Sequence, residues 1–160
     1  MPNSHPKTFL RAALAGISAL LLSAAFAADS SQYKVVHGVA IYLGVLPAEM
    51  ILGHPRAHTE AKMHGGVPAW QNQQHLVVAL FNNATGKRIT AAKVNADVAE
   101  IGLSGVQKKL EPMLIAGTVS YGNYFNMPVT NNPYRINVRV ELPGVADVIE
   151  AQFDYRHVSD

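Results

Sequence analysis

From Tyr33 onward, apolar and polar residues alternate in short runs separated by turn-forming residues, the pattern of half-buried β-strands. It is cleanest near the end. Tyr134, Ile136, Val138 and Val140 fall on one face, and Arg135, Asn137, Arg139 and Glu141 on the other. After a Leu142-Pro143-Gly144-Val145 turn, Ile149, Ala151, Phe153 and Tyr155 oppose Glu150, Gln152 and Asp154. Two antiparallel strands with one face in a core are predicted. His75 to Phe81 is a continuous apolar run that predicts a central strand, and Asn82-Asn83-Ala84-Thr85-Gly86-Lys87 follows it as a hairpin turn. Val94, Ala96 and Val98 alternate with Asn95 and Asp97 up to about Ile101; Leu110 to Ile115 and the aromatic-rich Tyr121 to Asn126 add two more strands. Tyr33 to Gly44 predicts a single opening strand, closed by Leu46-Pro47-Ala48-Glu49-Met50. Thr59, Ala61 and Met63 alternate with His58, Glu60, Lys62 and His64, between breaks at Gly53-His54-Pro55 and Gly65-Gly66-Val67-Pro68. Roughly seven or eight short strands with no helix of three turns predict an all-β fold, an immunoglobulin-like antiparallel β-sandwich. Tyr134, at the head of its strand, is placed for a tyrosine-corner hydrogen bond.

The beginning of the chain departs from this pattern. Met1 to Arg11 is polar and basic, Ala12 to Phe26 is apolar, and Ala25-Phe26-Ala27 has the small-x-small form of a cleavage site. This is the layout of a cleaved secretory signal over residues 1–27, and its apolar run falls short of the ~20 residues that span a bilayer. The charge picture changes accordingly. Of 13 Lys+Arg against 11 Asp+Glu, the two surplus bases, Lys7 and Arg11, lie in the signal, so residues 28–160 are formally neutral. A basic patch for nucleic acid is therefore not expected. With no cysteine, disulfides, lipid-modified cysteine and thiolate chemistry are excluded. A periplasmic protein with one domain over residues 28–160 is expected.

Histidine is distributed unevenly. Of the six histidines after residue 27, five fall between His37 and His75, and His54, His58 and His64 sit within eleven residues together with Glu60 and Met63. Imidazole and thioether favour late transition metals, Met preferring reduced copper, and a carboxylate adds affinity for iron, manganese or zinc. On a strand His58, Glu60 and His64 share one face, with successive positions about 6.6 to 7 Å apart. His58 and Glu60 can thus converge on one ion by leaning together, whereas His64 needs a bend in the chain. Each candidate also has a plain reading: histidines on an exposed strand are commonly just solvated, as His58, His54 and His37 would then be. Met63 points to the apolar face, and Met50, Met113 and Met127 default to core packing. His75 reads as structural, and His157 lies in a tail where fraying is expected. There is no G-x-S-x-G elbow, H-E-x-x-H pair, phosphate-cradling Gly loop or cysteine nucleophile, so no enzyme is expected.

Three stretches carry a resemblance. His58-Thr59-Glu60-Ala61-Lys62-Met63-His64 resembles the H-x-E-A-x-x-H strand of the periplasmic iron-transport proteins that bind copper and iron and accompany an inner-membrane iron permease. Val39-Ala40-Ile41-Tyr42-Leu43 through Glu49-Met50 is similar to that family's opening strand, and Pro112-Met113, Tyr121-Gly122, Met127 and Tyr134 to its P-M…Y-G…M…Y series. The resemblance implies an immunoglobulin-like sandwich, a homodimer, a copper and/or iron ion, and an inner-membrane iron permease as partner. By position it implies His58 as a copper ligand, Glu60 as the metal-site carboxylate and Met113 as the methionine ligand. The family's second histidine is Ser120 here, and the Leu142 to Val148 turn is too short to carry its further one; His64, His54 or His37 would substitute. The domain equally resembles the YtkA-like sandwich proteins of copper and oxidase biology, through Thr85-Gly86-Lys87 and Ala92-Lys93-Val94. The expected function is a non-enzymatic periplasmic metal-binding protein that assists iron uptake. A structural or interaction module of the envelope and a periplasmic copper chaperone stand as alternatives.

Overall fold

The structure, a computed structural model, describes residues 32–52 and 71–157. Among these the chain runs β1 (Tyr33–Val36), β2 (Val39–Pro47), α1 (Ala48–Leu52), β3 (Gln73–Asn82), β4 (Lys93–Glu100), β5 (Val106–Ile115), β6 (Thr118–Asn126), β7 (Tyr134–Glu141) and β8 (Ile149–Tyr155). All pairings are antiparallel, and the hydrogen-bonded order is β1-β2-β3-β6-β5-β4-β7-β8. The expected all-β sandwich is the fold observed.

Strand β5 joins the two layers. Its first half, Val106 to Leu110, pairs with β4, and its second half, Glu111 to Ile115, pairs with β6. One layer is therefore β1-β2-β3-β6 with the end of β5, and the other is the start of β5 with β4-β7-β8. A strand that changes partners in this way turns the corner between packed sheets. The free edges of the two layers also approach each other, with Lys34 Nζ of β1 5.9 Å from the centre of the Phe153 ring of β8.

Alternation decides what lies between the layers. Ile41, Leu76, Val78, Leu80, Tyr121 and Phe125 from the first layer meet Val94, Ile136, Val138, Val140 and Phe153 from the second in one buried cluster. These are the β-branched, leucine and aromatic side chains that pack well on a pleated surface. In β7 and β8 every inward position of the sequence pattern is buried, apart from the partly buried Tyr155 at the end of β8. Met127 is buried in the same cluster, as its default reading holds.

The sequence pattern misleads at three points. Tyr33 to Gly44 is a hairpin rather than one strand: His37 (φ 47°) and Gly38 (φ 77°) make a two-residue turn between β1 and β2. Both central residues are left-handed, which suits the twist of a hairpin. His37 lacks the Asn or Gly signature of such turns and so hid the break. Met50, read as core, is 62% exposed on the short helix α1. The tail is tied down at His157, whose Nε2 donates to the Met127 carbonyl at 3.0 Å while its ring packs edge-on against Tyr134 and Tyr155. Tyr134 itself donates from Oη to the Pro128 carbonyl at 2.8 Å, the corner bond its position suggested.

Candidate metal centre

His54, His58, Glu60 and His64, with the strand expected around them, lie outside the described residues. Met113 lies within them. It is 4% exposed, yet it does not belong to the apolar cluster between the layers. Register explains this. Met113 pairs with Ser120, and β6 then carries Gly122 and Tyr124 on the same face. Tyr124 in turn pairs with His75 of β3. Tyr121, Phe125, Leu76 and Val78 occupy the alternate positions and point into the core. Met113, Ser120, Gly122, Tyr124 and His75 therefore lie on the outer face of the first layer.

This outer face is not a solvated one. His75 (3% exposed), Ser120 and Tyr124 are buried there, and Ala48 of α1 packs with Tyr124 in a small separate cluster. The His75 ring stacks on Tyr124 with centroids 4.7 Å apart and planes 28° from parallel, which fixes the plane of the imidazole.

The geometry over Gly122 brings two side chains together. In register Gly122 lies opposite Glu111 on one side and Val77 on the other, so Met113 and His75 approach it along the two diagonals. Met113 Cε is 2.7 Å, and His75 Nε2 2.9 Å, from the point where a Cβ on Gly122 would stand. Strands β3 and β5 are separated by β6, about 10 Å in all. Side chains from them meet only because the middle strand carries no side chain at that point. Sequence reading left His75 as structural; the signal it passed over was Gly122, a glycine inside a strand, which marks a bulge or a close approach.

A cation sits beside the pair. Arg88 donates from Nε to the Val119 carbonyl at 2.7 Å and from a terminal nitrogen to Ser120 Oγ at 2.6 Å, with its guanidinium over Phe81, 4.8 Å from the ring centre. The position where the resembling family carries a second histidine thus holds a hydroxyl engaged by arginine. Glu111 shares the face but is exposed. Tyr42, Phe81 and Tyr33 continue it toward the far edge as an aromatic row. His37, in the turn beyond that end of β2, lies roughly 20 Å or more of strand length from His75, given ~3.3 Å per residue, so it does not join His75. Among the described residues no three His, Asp, Glu or Cys side chains form a metal-holding group. An imidazole nitrogen and a methionine side chain that meet over a glycine supply the donor types that suit a soft, late transition ion.

The fold has solved counterparts. FetP of uropathogenic Escherichia coli strain F11 superposes with a TM-score of 0.60 at 13% identity, covering 79% of this chain and 93% of that one. A copper-bound Glu-to-Gln variant of FetP gives 0.56 at 14% identity, covering 79% and 94%. A DUF4426 family protein of Pseudomonas aeruginosa PAO1 gives 0.55 at 14% identity, covering 81% and 98%. The likeness is one of fold. No family model and no curated protein matches the sequence. Among the described residues no helix is long and apolar enough to cross a membrane.

Proposed function

We propose that this chain is a periplasmic, non-enzymatic metal-binding protein that assists iron uptake, with copper, by an inner-membrane permease. One observation carries the reading: Met113, the methionine that sequence resemblance assigns to the metal, is buried outside the apolar core on a polar sheet face. That face belongs to a fold shared with a copper-bound protein. A methionine needed only for packing would sit between the layers, as Met127 does. His75 beside Met113 adds a second donor of the right chemistry, and His58 and Glu60 are the further donors expected from the H-x-E-A-x-x-H segment. The permease and a homodimeric state rest on the resemblance and are part of the proposal.

Titration calorimetry of the protein lacking residues 1–27 tests it. Cu(II), Cu(I) and Fe(II) are titrated into the wild type and into His58→Ala and Met113→Ala variants. The expected result is stoichiometric binding that weakens in both variants. A wild type that binds none of these ions more tightly than the variants do would end the proposal.

A further inference from the structure

The outer face of the first layer holds a more specific assignment than metal binding alone. We infer that His75 is a metal ligand, and that His75 Nε2 and Met113 Sδ, which meet over Gly122, together hold a single Cu(I) ion; this rests on the metal-binding reading above. Three features of the site converge on it.

The first is register. Met113 on β5 and His75 on β3 sit diagonally to Gly122 on opposite sides, and the Met113 methyl and His75 Nε2 pack over it, 2.7 and 2.9 Å from the position a Cβ there would take. The thioether sulfur lies one bond behind that methyl, and the flexible methionine side chain can turn it toward Nε2, so that both donors reach one ion at metal–nitrogen and metal–sulfur bonds of about 2.0 and 2.3 Å. The second is the fixing of the imidazole. Its stack on Tyr124 holds Nε2 toward Gly122, so little rotamer freedom remains to be lost when an ion binds. The third is charge. Both donors are neutral, and the Arg88 guanidinium is hydrogen-bonded to Ser120, the cross-strand neighbour of Met113. Repulsion from that fixed positive charge scales with the charge of the ion. A monovalent ion therefore meets half the penalty of Cu(II) or Fe(II), and a nitrogen–thioether pair is also the softer set that Cu(I) prefers. Glu111, opposite Gly122 on the same face, is exposed.

The test uses protein from residue 28 onward, kept under reductant and labelled with 13C at the methionine methyl groups and 15N at the histidine rings. One equivalent of Cu(I) should shift the Met113 methyl and the His75 ring nitrogens together. Competition against a chromogenic Cu(I) chelator should then show His75→Phe, which keeps the stack on Tyr124, and Met113→Leu each weakening Cu(I) binding by at least the ~10–100-fold that removal of a ligand's outer partner costs. Cu(I) that shifts Met113 while leaving His75 unmoved, or undiminished binding by a folded His75→Phe variant, overturns the assignment of His75 but leaves the metal-binding reading standing. Failure of the wild type to bind any of the ions removes both. Should His75→Phe not fold, the wild-type shifts decide alone.

Discussion

The two faces of the sheet formed by β2, β3 and β6 are built from the same alternating strands but carry opposite chemistry. Between the layers, Ile41, Leu76, Val78, Leu80, Tyr121 and Phe125 form a continuous apolar surface. On the other face, His75, Ser120 and Tyr124, with Met113 from β5, are buried just as deeply yet offer nitrogen, hydroxyl and thioether groups. Burial costs nothing for the first set and is expensive for the second unless each polar group finds a partner. Ser120 has one in Arg88. The inner face thus serves packing, and the outer one places polar groups. Substitutions on the two should fail in different ways.

The largest effect should come from the inner face. Phe153→Ala removes a fully buried ring from the sandwich and should cost about 3–5 kcal/mol. A urea titration would show the midpoint falling with little change in slope; a loss under about 0.5 kcal/mol, the range of surface sites, would place the core elsewhere. On the outer face Gly122→Ala should have an intermediate effect. Its Cβ would meet the Leu76 carbonyl at 2.9 Å as well as the Met113 methyl and His75 Nε2, and backbone does not yield easily. A loss of about 1–3 kcal/mol is expected, together with loss of copper although both donors remain. Met113→Leu conserves volume and should cost less than about 1.5 kcal/mol while weakening metal binding sharply. If it unfolded the protein instead, Met113 would belong with the inner face and the contrast would collapse.

The smallest effect concerns protons. Burial pushes the Tyr121 phenol above its ordinary value, and burial followed by the nearby Glu100 carboxylate does the same for Tyr134. Both phenols are held neutral in the fold, so the unfolded chain loses these protons first. The stability they contribute is complete below about pH 10 and falls as pH rises through the raised values. Thermal melts between neutral pH and pH 11 should show that decline, reduced in a Tyr134→Phe variant.

Much of the fold could be read from periodicity, because a strand with one face in a core alternates strictly, as β7 and β8 do. The hairpin at His37-Gly38 could not, since its first residue adopts a left-handed conformation without the residue type that advertises it. The candidate site was legible only in part. Met113 was singled out through its place in a motif, but alternation in β5 does not reveal that its second half belongs to a different sheet from its first. His75 was obscured by the apolar run it begins, in which both faces of β3 are covered and neighbouring positions cease to differ in polarity. What joins the two, a diagonal meeting over Gly122, depends on the register of three strands, and a linear pattern does not encode register across non-consecutive neighbours.

Strand β5 makes the chain unusually intolerant of length change at one place. Leu110 closes the core against β4, and three positions later Met113 reaches the outer face against β6. Inserting or deleting one residue between them would turn every later side chain of β5 to the opposite side of its sheet. Met113 would enter the apolar interior, and on deletion Leu114, now 54% exposed, would take its place. A length change in the exposed Pro143 to Ala146 turn carries no such penalty, because no strand changes sheets there.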